Sequence, residues 1–164
     1  MSEMTLLIIP PDTLLILHFT ADVKDIYEQG KRYPWPKSTE CPRCRYRRLW
    51  GHGFAERYFE GFSQAIWVKR YRCPDCHGVH TCRPDTYFER TRYPVPVVLA
   101  SLLEKIMRGT WLRWINRQIQ LWWYRSVTKW VSKRRTVRSL TVWHLKEYLF
   151  ARLPRTGQCA PLRL

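Results

Sequence analysis

The stretch Cys41-Pro42-Arg43-Cys44, followed after residues 45–72 by Cys73-Pro74-Asp75-Cys76, decides the fold. A C-x-x-C turn places two thiolates side by side, and two such turns supply four sulfur ligands in a tetrahedron around Zn²⁺. Four cysteines fill every position of that tetrahedron, so we expect a closed structural site without an open position for a catalytic water. The sequence therefore predicts a zinc site with Cys41, Cys44, Cys73 and Cys76 as its ligands.

Other interpretations of the cysteines are weaker. Reduced, non-ligating thiols or two disulfides in a secreted domain fit poorly with two C-P-x-C turns in a chain for which we expect no signal peptide. His77 and His80 follow the second turn and could replace one thiolate, but beside a complete quartet we expect them to face solvent or to hydrogen-bond around the site. We expect Cys82 and Cys159 to be free thiols.

The segment between the two turns indicates a β-hairpin. Residues 57–72 form two strand-like runs on either side of Gly61. In the second run Ile66 and Val68 alternate with Trp67 and Lys69, but neither face is apolar throughout. This pattern predicts a ribbon that needs its metal to fold, because so small a hairpin buries little apolar surface.

Basic residues dominate the composition: 29 Lys and Arg stand against 13 Asp and Glu, for a formal net charge of +16. Such an excess attracts polyanions, and nucleic acid is the leading partner. The 9 Trp and 9 Tyr could stack on bases, fill a core or lie at a lipid interface. Composition alone therefore leaves an anionic membrane surface as an alternative.

The chain before the cysteines predicts two short buried strands, at 6–9 and 14–19, and a brief helix at 21–29. Pro10, Pro11 and Asp12 interrupt the apolar runs, so we expect no membrane span. His18 is expected to be a core or edge residue. Glu3 is the only charged residue before the first apolar run, which is why no signal peptide is expected.

The fold class predicted is α+β, with a small four-cysteine zinc ribbon built on a β-hairpin and followed by a helical, helix-turn-helix-like module. We expect an N-terminal β/α segment at 1–34, the ribbon at 35–92, the helical module at 93–153 and a loose tail at 154–164.

Two helices of the module have clear sequence signals. The first has a proline in its first turn, Gly109 as its end, and one apolar stripe made of Leu99, Leu102, Leu103 and Ile106. The last spans about 140–152 and places Val142, Leu145 and Leu149 on one side.

The region between them admits two interpretations. In the first, Thr110 caps a short helix in which Trp111, Trp114, Ile115 and Ile119 share a face, and Ser126 caps a second, basic helix that completes a helix-turn-helix. In the other, one helix continues from 111 to 134, because residues 118–124 contain neither Gly nor Pro.

The order of these parts resembles the N-terminal DNA-binding region of bacterial insertion-sequence transposases and their stand-alone relatives, over roughly residues 35 to 135. The resemblance is carried by Cys41-Pro-Arg-Cys44, by Arg70-Tyr-Arg-Cys73-Pro-Asp-Cys76-His-Gly-Val-His80-Thr, by Arg83-Pro84-Asp85 and Arg92-Tyr93-Pro94, and by Arg125-Ser126-Val127-Thr128-Lys129-Trp130-Val131. The last of these is similar to the start of that family's recognition helix. The resemblance implies a four-cysteine ribbon and a helix-turn-helix that bind the ends of a mobile element. Those transposases continue into a catalytic domain with acidic metal ligands, and we expect this chain to act without one.

We therefore expect a non-catalytic, zinc-stabilised protein that binds double-stranded DNA, located in the cytoplasm on the nucleoid, with a transposase or other mobile-element protein as a further partner. The residues expected to contact nucleic acid are Arg43, Arg45, Arg47, Arg48, Lys69, Arg70, Arg72, Arg125, Ser126, Thr128, Lys129, Lys133, Arg134 and Arg135.

RNA binding or assembly in a ribonucleoprotein is the main alternative, with the tryptophans as stacking platforms. A nuclease is disfavoured, because no D-x-D, H-E-x-x-H or H-x-E…C-x-x-C pattern occurs in the sequence.

Overall fold

A four-stranded sheet organises the cysteine-bearing part of the chain. The computed structural model describes residues 15–153, in which β1 (Leu15–Phe19), β2 (Trp50–Arg57), β3 (Ile66–Arg72) and β4 (Val79–Pro84) pair in the order β1-β4-β3-β2. β1 runs parallel to β4, whereas the other neighbours are antiparallel. Together with four α-helices, this sheet confirms the predicted α+β class.

The start of the described chain follows the prediction. β1 is followed by the helix α1 (Val23–Gln29), and the side chain of Asp22 caps α1 by accepting a 2.7 Å hydrogen bond from the Lys24 N–H. His18 is 4% exposed, as expected for a core residue. The strand predicted at 6–9 and the tail predicted at 154–164 lie outside the described residues.

The first strand of the hairpin lies upstream of its predicted position. β2 ends at Arg57, and residues 58–65 form the connection to β3 with Gly61 at φ +87°. The sequence does not indicate this strand because glycines interrupt its strand pattern. Gly53 has φ +70°, and the register with β3 shifts between Gly51 and Phe54, which marks a β-bulge.

Sequence analysis does not predict β4. The strand lies between β1 and β3, and every residue from His80 to Pro84 is buried. A strand covered on both faces shows no polar–apolar alternation, and this one contains a histidine, an arginine and a proline. Its apolar content therefore gives no strand signal.

The sheet and its neighbouring segments enclose one apolar core within the first compact unit, which ends at Asp85. Its fully buried apolar side chains include those of Ile26, Leu49, Phe59, Ile66, Val68 and Cys82. Leu49 and Phe59 flank β2 and contribute through loop positions, so the core depends on the hairpin's connections as well as on its strands.

The second compact unit begins at Thr86 and contains α2 (Val95–Arg108), α3 (Arg117–Ser132) and α4 (Val142–Arg152). The predicted signals of α2 are confirmed, because Pro96 lies in its first turn and Gly109 ends it at φ +72°. Thr141 caps α4 by accepting from the His144 N–H, while the His144 side chain accepts from the Thr141 N–H. Leu145 of α4 is buried, whereas Val142 is 40% exposed.

The predicted break at Ser126 is wrong, because α3 continues through it. Four buried residues, Gln120, Trp123, Val127 and Val131, follow one another at spacings of 3 and 4 and form one unbroken stripe. The sequence pattern did not indicate the start of this stripe, because Gln120 is polar and a search for apolar residues at helical spacing omits it. A single buried face needs no turn.

The predicted helix at Trp111 is also absent. Asn116 caps α3 through a 2.8 Å hydrogen bond from the Gln118 N–H, whereas Thr110 donates its hydroxyl to Glu104. Residues 111–116 are irregular, with Trp114 66% exposed and Ile115 buried. The alternative of one helix from 111 to 134 is therefore correct in its continuity but not in its start.

Candidate functional site

The four predicted cysteine ligands lie together in the structure. The sulfur atoms of Cys41, Cys44, Cys73 and Cys76 all lie within 4.8 Å of one another. The Cys41–Cys76 sulfur distance is 3.7 Å and the Cys44–Cys73 distance is 3.4 Å. Four thiolates bound tetrahedrally at about 2.3 Å from one ion would be about 3.8 Å apart, so the cluster fits a metal ion.

The two cysteine turns have the same backbone form. The Cys41 N–H donates to the Tyr46 carbonyl at 2.7 Å, and the Cys73 N–H donates to the Gly78 carbonyl at 3.0 Å. In each turn, the residue after the second cysteine has a left-handed backbone, with φ 61° at Arg45 and φ 57° at His77. Neither residue is a glycine, so this shared conformation has no signal in the sequence.

Backbone amides converge on the buried sulfurs. The N–H groups of Arg43 and Cys44 hydrogen-bond to the Cys41 sulfur, and those of Asp75 and Cys76 to the Cys73 sulfur. Such donors stabilise the thiolate, which is the form that binds a metal.

Burial opposes that ionisation to different degrees. It raises the pKa of the Cys41 and Cys44 thiols, and the amide hydrogen bonds only partly offset it. At Cys73 burial also raises the pKa, but the hydrogen bonds from Cys76 and Asp75 bring the net pKa below its ordinary value. Four thiolates in this setting therefore require a compensating cation.

His80 contacts the cluster without being part of the quartet. Its ring is completely buried, and Nε2 lies 3.3 Å from the Cys41 sulfur. The Nδ1 atom is buried without a hydrogen-bond partner. A proton on Nε2 gives the sulfur a donor and leaves a bare lone pair at Nδ1, which costs less than a buried N–H without an acceptor. His77, in contrast, is exposed.

Gly78 permits the close approach of the second turn to His80. A Cβ at this position would lie 3.3 Å from the Cys76 sulfur and 3.4 Å from the His80 ring. Sequence reasoning missed this role, although a glycine between the last cysteine and the histidine was the available signal.

The predicted nucleic-acid contacts near the cysteines are unequal in exposure. Arg45, Arg47, Arg48 and Arg72 are exposed, whereas Arg43, Lys69 and Arg70 are half-buried. Lys69 places its ammonium group 4.5 Å from the centre of the Phe54 ring. The four exposed arginines are therefore the ones with side chains directed to solvent.

Helix α3 carries the middle set of predicted contacts. Arg125, Thr128 and Lys129 are exposed; Arg125 and Lys129 lie opposite the stripe that includes Val127, and Thr128 lies beside it. Ser126 is half-buried, and its hydroxyl donates to the Trp122 carbonyl at 2.9 Å. The helix therefore presents a basic face with Arg125 and Lys129 one turn apart.

The last three predicted contacts follow α3, and two of them have partners. The Arg134 guanidinium lies 3.8 Å from the centre of the Trp130 ring. Arg135 donates two hydrogen bonds to Glu147, at 3.0 and 3.1 Å. Lys133 is exposed at the end of the helix. Arg135 therefore serves first to tie this segment to α4.

Comparison with protein-family models, with curated proteins and with solved structures finds no match for this chain. Among residues 15–153, no helix combines the length and the apolar character needed to cross a membrane. The cluster of four cysteines that can hold a metal ion is thus the best-defined site of the first unit.

Proposed function

We propose that this protein is a non-catalytic, zinc-stabilised nucleic-acid-binding protein, with double-stranded DNA as its main partner. The exposed basic face of α3, formed by Arg125, Thr128 and Lys129 and continued by Lys133 directly after the helix, carries this proposal. The face belongs to a chain with a net charge of +16. A rigid helix with cationic side chains on its open side suits the major groove, where phosphate contacts position the helix and base contacts give specificity.

Zinc is the metal proposed for the cysteine cluster. Four sulfur ligands in a tetrahedron suit Zn²⁺ better than Mg²⁺ or Ca²⁺, which prefer oxygen ligands. The ion would hold the two cysteine turns together, and backbone amides together with the His80 ring would stabilise the thiolates. Its role here is structural, because four protein ligands complete its coordination.

Duplex binding is tested by fluorescence anisotropy with a labelled duplex at two salt concentrations. If the protein neutralises six or more phosphates, its affinity for the duplex should fall by about 1,000-fold when the salt concentration rises from about 50 to 200 mM. Lys129→Glu should weaken binding by at least about 10-fold, whereas Lys146→Glu, an equally charged change at an exposed position of α4, should have a smaller effect. Binding that is insensitive to salt, or equal losses in both variants, would argue against the basic face of α3.

A function in RNA or single-strand binding is the second candidate, and exposed tryptophans favour it. Trp122 and Trp143 are each about half exposed, and a flat aromatic surface stacks on any unpaired base. Affinity for duplex DNA, single strands and structured RNA at matched salt separates the two candidates. The resemblance to the DNA-binding region of transposases supports the duplex and a role beside a mobile-element protein.

A further inference from the structure

A groove lies within the helical unit, between the first half of α3 and the loop that precedes α2. Its volume is about 410 Å³, and its walls combine aromatic rings with arginines. Small-molecule sites have volumes of roughly 300 to 1,000 Å³. The groove therefore has room for a ligand larger than an ion.

The helix side of the groove exposes an apolar surface. Trp122 is 49% exposed and Ile119, one turn earlier on α3, is 37% exposed. Neighbouring side chains at a spacing of three residues form one continuous patch on a helix. An indole of this kind is a platform on which a flat ring can stack.

The charges around this patch are all of one sign. Arg90, Arg92 and Arg125 line the groove and are exposed at the surface, and none of the lining residues is acidic. Guanidinium groups bind phosphate oxygens in a bidentate manner. The groove thus combines a surface for a flat apolar ring with donors for anionic oxygens.

The loop wall is held in place by its own hydrogen bonds. The Val95 N–H donates to the Thr86 carbonyl at 2.8 Å, and the Thr91 hydroxyl donates to the Tyr93 carbonyl at 2.8 Å. The ring of Tyr93 meets that of Trp123 edge to face at 5.3 Å, which joins the loop to α3. A wall fixed in this way loses little entropy when a ligand binds.

We propose that this groove binds one unstacked nucleotide of a nucleic-acid strand. The base lies against Trp122 and Ile119, and Arg90, Arg92 and Arg125 hold the flanking phosphates. Charge complementarity selects this occupant, because a nucleotide joins a flat ring to an anionic backbone. The inference rests on the proposed nucleic-acid-binding function and adds a site for an unpaired base to it.

The test compares a blunt duplex with the same duplex carrying a short thymidine overhang, at matched salt. Trp122→Ala should lower the affinity for the overhang duplex and for oligothymidine by about 10-fold, the size of one stacking interaction, and should leave the blunt duplex nearly unchanged. Trp114→Ala is the matched control, because Trp114 is more exposed than Trp122 and does not line the groove. It should bind all three probes as the wild type does.

Arg90→Glu gives a second measurement at an exposed loop position. It should weaken binding of the overhang duplex more than that of the blunt duplex. A wild-type protein that binds none of the probes would overturn the proposed function together with the groove. If the wild type binds but Trp122→Ala and Arg90→Glu leave the overhang preference intact, or Trp114→Ala loses as much, the groove proposal alone is overturned.

Discussion

The Nε2 atom of His80 lies 3.3 Å from the sulfur of Cys41, so a strand residue from the sheet reaches the cysteine cluster. β4 fixes this relationship, because His80 is paired with Tyr71 of β3 on one side and with Leu15 of β1 on the other. The sheet and the cysteine cluster are therefore coupled through the buried ring of His80.

Replacing His80 with phenylalanine should weaken metal binding. The ring volume is roughly kept, but the sulfur loses its hydrogen-bond donor, and the loss of such a partner typically lowers metal affinity by 10- to 100-fold. We expect an increase of about 10-fold in the apparent dissociation constant for zinc, measured by competition with a chromophoric chelator.

His77→Asn provides the control for that experiment. His77 is exposed and has φ +57°, a conformation that asparagine tolerates. Its zinc affinity should equal that of the wild type. If His77→Asn released zinc and His80→Phe did not, the assignment of the two histidines would have to be exchanged.

Removing the metal should unfold the sheet and leave the helices intact. The cysteines connect to β3 and β4, whereas α2, α3 and α4 share a separate core that includes Leu102, Trp123 and Leu145. After chelation we expect amide protection to be lost in β3 and β4 and kept in α3, measured by hydrogen exchange.

Cysteine variants test the same point without a chelator. Cys73→Ser should abolish stoichiometric metal binding, whereas Cys82→Ala, which changes a buried cysteine outside the cluster, should retain it. Protection lost simultaneously from α3 and β3 in Cys73→Ser would show that the two units do not fold separately.

His18 should make the stability of the protein depend on pH. Burial lowers the pKa of His18 from 6.5 to about 4. The positive charge of Arg83 lowers this pKa further, whereas a hydrogen bond to the Pro84 backbone and the negative charge of Asp85 raise it in part. Between these values the unfolded chain binds more protons than the folded one, so the free energy of unfolding falls as the pH drops from about 6.5 to about 4. The full contribution is about 3 kcal/mol.

Urea unfolding at several pH values measures this dependence. His18→Phe should have a flatter pH profile over that interval, since phenylalanine takes up no proton, although its stability at neutral pH can differ through the lost hydrogen bond. An unchanged slope in His18→Phe would assign the acid sensitivity to other groups.

The sequence predicted the parts of this structure in which chemistry or spacing is local. Two C-P-x-C turns identify the cysteine cluster, and Gly109 marks the end of α2 because a left-handed residue is needed there. β4 escaped prediction because its burial comes from both neighbouring strands, which no local pattern records. The groove beside Trp122 likewise brings residues 90–93 together with 118–125, a tertiary contact that the sequence does not reveal.

Gln120 begins the buried stripe of α3, which continues without interruption through the predicted break at Ser126. It is completely buried, and its side chain forms four hydrogen bonds. Its Oε1 accepts from the Ser101 hydroxyl at 2.7 Å and from the Leu112 N–H at 3.0 Å, while its Nε2 donates to the Leu112 and Ile115 carbonyls, each at 2.8 Å. One side chain thus replaces the helical hydrogen bonds that residues 111–116 do not make.

Replacing Gln120 with leucine should lower the free energy of unfolding of the helical unit by about 3 kcal/mol, because several backbone groups and the Ser101 hydroxyl lose their partners in a buried setting. Gln118→Leu makes the same chemical change on the exposed side of α3 and should alter stability by less than about 0.5 kcal/mol. Urea unfolding followed by the helical circular dichroism signal measures both. Equal stabilities of the two variants would mean that the apolar stripe alone holds residues 111–116 against α3, and that a buried glutamine is dispensable there.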